Sequence, residues 1–178
     1  GRTVRHGVLG EGPDVVLCHG TPWSSWVWGD VAHELARDHR VHVWDMPGFG
    51  ASSKDAAHAV TLASQGAVLA DLLDAWGLRR PHVIAHDVGG AVAPRAHLVH
   101  GAAFASLALV DVVAVRPWGS ELFRLVAEHP DVFERIPEAM RTAMLRAYVE
   151  GASHTGLADA DAEALLAPWR GDDGWAAW

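Results

Sequence analysis

The sequence predicts an α/β fold in which a mostly parallel sheet is flanked by helices and followed by a purely helical part. Short apolar, strand-like runs alternate with helical stretches as far as Val110, which is the pattern of βαβ units. Beyond Pro117 the helical patterns continue with no convincing strand between them. Half of the 178 residues are hydrophobic, so the chain can bury one sizeable core.

The first two predicted strands, Thr3 to Leu9 and Asp14 to Cys18, are separated by the turn cluster Gly10 to Pro13. Two strands joined so tightly are expected to pair, so a hairpin should open the fold. The remaining predicted elements of this half are helices at Val27 to Asp38, Thr61 to Trp76 and Gly89 to His100, and strands at Arg40 to Trp44, Pro81 to Ala85 and Ala105 to Val110. After Pro117, helices are predicted over Ser120 to Ala127, Pro137 to Val149 and Ala158 to Leu166.

Charge and composition exclude several classes of partner. The net charge is −8, from 22 acidic and 14 basic residues with no basic cluster, so neither nucleic acid nor an anionic membrane surface is an expected partner. A small molecule is expected instead. The single cysteine, Cys18, excludes an internal disulfide and fits a reducing, cytoplasmic setting. No apolar stretch approaches the roughly 20 residues that span a bilayer.

The sharpest local pattern is the run from Val83 to Gly90, a buried strand that turns through His86 and Asp87 directly into a helix. Small residues around Asp87 are typical of a nucleophile elbow, in which the helix start packs against the strand end and the central side chain is pushed into the open. The helix N-terminus would favour the ionised carboxylate there. The alternative is that Asp87 only caps the helix, since Asp is among the best N-cap residues.

A second motif, His19-Gly20-Thr21-Pro22, directly follows the strand that ends at Cys18. The carboxyl ends of parallel strands meet at one edge of a sheet, so this motif should lie beside the elbow. The backbone N–H groups of Thr21 and Val88 would then form an oxyanion hole. We expect His19 to support the turn rather than to catalyse a reaction.

Two patterns that could suggest a cofactor or a metal carry little weight. The loop Asp45 to Gly50 contains Gly-X-Gly, but the third glycine of a dinucleotide fingerprint is absent, and Asp45 is expected to fix the loop by accepting backbone N–H bonds. Neither His39 with His42 nor His97 with His100 assembles a metal-ligand set. The sequence therefore predicts no cofactor and no metal.

Together, the three motifs resemble the α/β-hydrolase superfamily, and Asp at the elbow resembles the branch of haloalkane dehalogenases, haloacetate dehalogenases and epoxide hydrolases. The resemblance implies that residues 1–114 form the N-terminal part of the core and that 115–178 form part of a helical cap. It implies that Asp87 attacks an electrophilic carbon to give an ester, which a water activated by histidine hydrolyses. Asp111 matches the position of the acidic triad member in some haloalkane dehalogenases; fixing a loop is the other interpretation.

The sequence departs from this family in its histidines. The family's general base follows further strands beyond the cap, whereas the histidines after Asp111 are His129 and His154, both in the helical part. The sequence therefore predicts that the C-terminal strands are missing and that the strand ending at Val110 is an exposed edge. The alternative function is a non-catalytic ligand-binding module, or an inactive remnant of the same fold.

The substrate signals also differ from those of the resembled families. The dehalogenases hold halide with a Trp after the nucleophile and an Asn or Trp near the His-Gly-X-Pro motif, where this chain has Val88 and Thr21. Trp23 could substitute only if its loop turned inward, and Tyr148 is the one tyrosine available to protonate an epoxide. Epoxides, haloalkanes and haloacetates all stay open as substrates. A serine esterase is disfavoured because Gly-X-Ser-X-Gly does not occur.

Overall fold

The computed structural model describes residues 3–55, 59–115 and 119–177. Within these residues the chain forms a five-stranded sheet in the order β1-β3-β2-β4-β5, with β1 antiparallel to β3 and the other neighbours parallel. The strands are β1 (His6–Leu9), β2 (Asp14–Cys18), β3 (Arg40–Trp44), β4 (His82–Asp87) and β5 (Ser106–Val112). This sheet, flanked by helices, confirms the predicted fold class.

The described helices follow the predicted alternation in the first half of the chain. They are α1 (Gly29–Leu35), α2 (Leu62–Ala75), α3 (Gly89–His100), α4 (Glu121–Glu128), α5 (Pro130–Glu134), α6 (Glu138–Gly151), α7 (Asp159–Leu166) and α8 (Gly171–Ala177), with 3-10 turns at Ser25–Trp28 and Ala167–Trp169. None of the helices in the described chain has the length and apolar character needed to cross a membrane.

The predicted opening hairpin is wrong, because β3 lies between the first two strands. His6 of β1 pairs with Trp44 of β3, while β2 has β3 on one side and β4 on the other. β2 is buried from Val15 to Cys18, and a strand covered on both faces occupies the middle of a parallel sheet. The exposed and half-buried residues of β1 suit an edge position instead. The Gly10 to Pro13 turn therefore carries the chain past β3.

Helices cover both faces of the sheet. On one face, α2 and α3 pack on a cluster that includes Val16, Trp44, Leu69, Val83 and Val92. On the other face, Trp28 and α1 cover Val15, Leu17 and Val41. Cys18 is completely buried, and burial raises the pKa of its thiol to about 12, so the thiol stays protonated at neutral pH. A protonated, buried thiol is neither a nucleophile nor a metal ligand.

The C-terminal helical segment (119–177) packs around its own apolar cluster, formed by Leu145, Val149, Leu165, Leu166, Trp169 and Trp175. Trp23, which follows β2, and Phe49, which follows β3, pack against the same cluster. The segment therefore lies over loops at the carboxyl end of the sheet. Helices α5 and α8 were not predicted, because five and seven residues are too short to show a helical period. The division at residues 114 and 115 stays a prediction.

β5 is the last strand in the sheet order and pairs with β4 alone among the described strands. Leu109 and Val110 are 48% and 46% exposed, although both are large and apolar. The strand that the sequence predicted to be an exposed edge is exposed in the structure.

Candidate active site

The turn between β4 and α3 forces Asp87 into a rare backbone conformation. Its φ is +49°, and Asp111, at +44°, is the other non-glycine residue with a positive φ in the described chain. The turn is tight because α3 starts against neighbouring backbone: a Cβ on Gly89 would lie 2.6 Å from the carbonyl oxygens of Cys18 and His19. A larger residue at Gly89 would push the helix away from β2. Backbone strain that neighbouring packing maintains is often found at functional sites.

The Asp87 carboxylate is held by backbone N–H groups from two loops. The Thr21 N–H donates to Oδ2 at 2.7 Å, and the Val88 N–H also bonds the carboxylate. Gly20 makes room for this contact, since a Cβ there would lie 2.4 Å from Oδ2. The N-cap residue of α3 is Val88, which makes no side-chain cap bond. Asp87 thus bonds across the chain to Thr21, which a simple helix cap does not require.

Opposing effects set the proton affinity of Asp87. Burial raises the pKa of the Asp87 carboxyl above its usual value, and the negative charge of Asp111 acts in the same direction. The N–H bonds from Thr21 and Val88 and the charge of His86 lower the pKa, but burial wins. The carboxylate is therefore more basic than a solvated one and is kept anionic chiefly by the two N–H groups.

His19 is a structural residue, as its sequence context suggested. Its Nδ1 lies 2.9 Å from the Gly20 carbonyl oxygen, and its Nε2 accepts the Met46 N–H at 3.0 Å. Burial lowers the pKa of His19, which agrees with a neutral ring that is protonated on Nδ1. Since both nitrogens are engaged, His19 joins the loops after β2 and β3 and has none left for a substrate. The other histidine next to the site is His86. Its ring lies edge-on to Trp28, with 6.3 Å between the ring centroids.

Asp45 fixes the glycine-containing loop after β3. Its Oδ1 accepts the Ser25 N–H at 2.7 Å and its Oδ2 accepts the Ala51 N–H at 2.9 Å. Asp45 therefore joins the loop after β3 to the start of the 3-10 turn at Ser25–Trp28. Within the described ranges, no three His, Cys, Asp or Glu side chains come together as metal ligands.

Three other residues singled out from the sequence have different surroundings. Asp111, in β5, is exposed and acts on Asp87 through its charge. Trp23 packs against the C-terminal helical segment. Tyr148, in α6, is half-buried, and burial together with the negative charge of Asp87 raises the pKa of its phenol. Asp111 on β5 and Tyr148 on α6 thus both interact electrostatically with Asp87.

The arrangement of a strand, a strained aspartate turn and a helix is matched by a known family. The sequence model of the alpha/beta hydrolase fold family matches residues 13–173 of this chain. The chain belongs to this family. A crystal structure of an alpha/beta hydrolase fold protein from Burkholderia ambifaria is 42% identical, with a TM-score of 0.95 over 99% of this chain and 65% of that one.

Two curated relatives in this hydrolase family catalyse different reactions. Fluoroacetate dehalogenase from a Burkholderia species is 33% identical over 129 residues, which are 70% of this chain and 42% of that protein. Pimeloyl-[acyl-carrier protein] methyl ester esterase from Aeromonas salmonicida is 34% identical over 85 residues, 48% of this chain and 32% of that one. The chain therefore spans under half the length of these relatives. Their names give the hydrolase class but no single substrate.

Sequence reasoning missed one residue at this edge of the sheet. The indole Nε1 of Trp169 donates to the Pro22 carbonyl at 2.9 Å, across 147 positions of the chain. No spacing rule links two residues so far apart. The only available signal was a tryptophan in a helical part that was expected to cover the site.

Proposed function

We propose that this chain carries the nucleophile of a hydrolase that acts on a small organic substrate with an electrophilic carbon, such as an epoxide, a haloalkane or a haloacetate. The observation that supports it most is the Asp87 carboxylate, held at 2.7 Å by the Thr21 N–H on a turn with φ of +49°. The start of α3 adds the favourable field of a helix N-terminus. A carboxylate fixed through one oxygen can attack with the other.

In this proposal, an Asp87 oxygen forms a bond to the substrate carbon while the carbon–halogen or epoxide carbon–oxygen bond breaks. The electron pair of the broken bond leaves with the halide ion or stays on the epoxide oxygen. The epoxide oxygen then takes up a proton. Water next gives one proton to a base while its oxygen adds to the acyl carbon of the ester. The N–H groups of Thr21 and Val88 stabilise the resulting oxyanion, each by about 3 to 4 kcal/mol. Loss of the alcohol restores the Asp87 carboxylate.

Tyr148 has the chemistry to assist the leaving group. Because burial and the charge of Asp87 raise the pKa of the phenol, Tyr148 stays protonated and can donate a hydrogen bond. The Phe123 ring contacts it edge-on, at 5.7 Å between centroids, and limits its rotation. We assign Tyr148 to the leaving halide or epoxide oxygen, and the C-terminal helical segment that carries it to the cap. For Asp111 we propose two alternative roles. It is either the acidic member of the triad or a residue that fixes its own turn.

The second step needs a base. Among the residues the structure describes, no histidine is hydrogen-bonded to Asp87: His19 is fully engaged, and His129 and His154 are exposed in the C-terminal helical segment. We therefore expect the ester on Asp87 to form faster than it is hydrolysed. An accumulating ester is a direct experimental target.

The test is to incubate the chain with an epoxide, a haloalkane and a haloacetate, follow the intact mass, and locate any adduct by peptide mapping. We expect one adduct, on the peptide that contains Asp87, and none with Asp87→Asn. Tyr148→Phe should slow the reaction about a hundredfold, the lower end of the range for a positioned proton donor. An adduct that persists in a folded Asp87→Asn protein, or no adduct from any of the three, would disprove the proposal.

A second candidate is a module that binds a ligand without turnover. A cavity of about 970 Å³ lies beside the Asp45 loop, lined partly by Ser24 and Leu165, and Asp87 is not among its lining residues. A ligand held there would not touch the carboxylate. Thermal stabilisation by a substrate analogue that is unchanged in Asp87→Asn, without any adduct in the parent protein, would favour this function.

A further inference from the structure

The C-terminal helical segment is joined to the loop that holds Asp87 through one buried side chain. Trp169 is 4% exposed, and its Nε1–H donates to the Pro22 carbonyl at 2.9 Å. A buried carbonyl that loses its partner costs about 1 to 3 kcal/mol, so this bond resists rotation of the peptide at Pro22. One end of the turn 20–23 is fixed in this way.

The other end of the turn is fixed through a series of edge-on ring contacts. Trp169 contacts Phe49 edge-on at 5.5 Å between centroids, and Phe49 contacts His19 in the same manner at 5.4 Å. The His19 Nδ1 in turn bonds the Gly20 carbonyl at 2.9 Å. Trp169 therefore reaches the turn by two routes, directly at Pro22 and through two rings at Gly20.

Thr21 lies between these two fixed points, and its N–H donates to Asp87 Oδ2. This N–H shares one peptide plane with the Gly20 carbonyl, which His19 holds directly. The Pro22 carbonyl, which Trp169 holds, lies two peptide units further along the same turn. The direction of the Thr21 N–H therefore depends on both anchors. We propose that Trp169 is a positioning residue: by fixing the turn 20–23 it aims the Thr21 N–H at the Asp87 carboxylate, so that docking of the C-terminal helical segment completes the oxyanion hole. The catalytic part of this inference rests on the proposed function.

The chain offers a matched control in Trp175. This second indole is 6% exposed, belongs to the same apolar cluster, and donates its Nε1–H to the Phe133 carbonyl at 3.0 Å. Its bond stays inside the C-terminal helical segment, whereas the bond of Trp169 crosses to the turn. Trp169→Phe and Trp175→Phe each remove one indole N–H group. The first loses a bond to the turn 20–23, and the second loses a bond within the C-terminal helical segment.

Two readouts test the proposal. The first is the pKa of Asp87, followed by NMR through its side-chain carbonyl carbon and assigned with Asp87→Asn. The Thr21 N–H lowers this pKa, so Trp169→Phe should raise it and Trp175→Phe should not. The titratable groups that face Asp87, namely His86 on β4, Asp111 on β5 and Tyr148 on α6, are unchanged in both variants. The second readout is the rate of adduct formation, expected to fall about tenfold in Trp169→Phe alone, as for a modest misplacement of a catalytic group.

The NMR readout needs no reaction, so it decides the positioning role even if no substrate forms an adduct. Equal pKa values in Trp169→Phe and the parent, or equal shifts in both tryptophan variants, would overturn the proposal. Should Trp169→Phe fail to fold, a benzothiophene analogue of tryptophan at position 169 replaces the N–H by sulfur while keeping the ring volume. The same rise in the pKa of Asp87 is expected, and its absence would refute the role.

Discussion

Asp45 and Asp87 both lie at the carboxyl edge of the sheet, one directly after β3 and the other at the end of β4. Each carboxylate accepts two backbone N–H bonds. Each also depends on a glycine for space: a Cβ on Gly50 would lie 2.2 Å from Asp45 Oδ2, and one on Gly20 would lie 2.4 Å from Asp87 Oδ2. By hydrogen bonds alone, the two sites are alike.

The two aspartates differ in exposure and in backbone. Asp45 is 4% exposed, and its carboxylate accepts the Ser25 and Ala51 N–H groups. Asp87 is half-buried and has a positive φ, so its carboxylate is held by N–H groups but is less buried than that of Asp45. Under the proposed function, reactivity depends on how much of each carboxylate the packing leaves exposed. Substitutions at Asp87 should then mainly reduce reactivity, and substitutions at Asp45 should mainly reduce stability.

The largest effect is expected from Asp87→Asn. Because an amide oxygen is a far weaker nucleophile than a carboxylate, adduct formation should fall by more than about a thousandfold. The free energy of unfolding in urea should not decrease, since the change leaves the Thr21 contact possible. A variant that lost both its reactivity and its fold would place Asp87 in the same structural role as Asp45.

Gly20→Ala should come second. The new Cβ would collide with the Asp87 carboxylate, so the carboxylate must shift away from the Thr21 N–H, and we expect adduct formation to fall about a hundredfold. Gly50→Ala is the control at Asp45, where the new Cβ would likewise meet a carboxylate, but Gly50 has a φ of +49° and Gly20 does not have a positive φ. That control should lower the free energy of unfolding by about 2 kcal/mol, with reactivity per folded molecule nearly unchanged. Intact mass and urea titrations measure both quantities.

Asp45→Asn should mainly affect stability. The amide can accept only one of the two N–H groups well and leaves a buried donor unpaired, so the free energy of unfolding should fall by about 2 kcal/mol. Adduct formation, measured at a temperature where the variant is folded, should stay within about threefold of the parent. A loss of reactivity with unchanged stability would contradict the separation of the two sites.

The sequence predicted the elements that depend on local patterns. The strand ending at Cys18, helix α3 and the turn at Asp87 were found because buried runs, helical spacing and small residues are visible locally. The place of β1 was not, since tight turns normally join paired strands, and here burial of both faces of β2 decided the order. The Trp169–Pro22 bond depends on how the C-terminal helical segment packs on the sheet, which no local pattern shows.

The smallest effect concerns pH, and its sign separates Asp87 from Asp14. Burial raises the folded pKa of Asp87, so the parent loses stability as pH rises from the unfolded value, about 3.9, through the folded value. Asp87→Asn avoids that loss and should be more stable than the parent by about 0.5 kcal/mol at neutral pH, reduced by solvent screening, with no difference below the unfolded pKa.

The hydrogen bond from Arg40 lowers the pKa of Asp14, so Asp14 stabilises the fold above its unfolded pKa and loses this effect on acidification. Asp14→Asn should therefore be less stable than the parent at neutral pH and equal to it in acid. Urea titrations across this range would refute the burial of Asp87 if both variants shifted in the same direction.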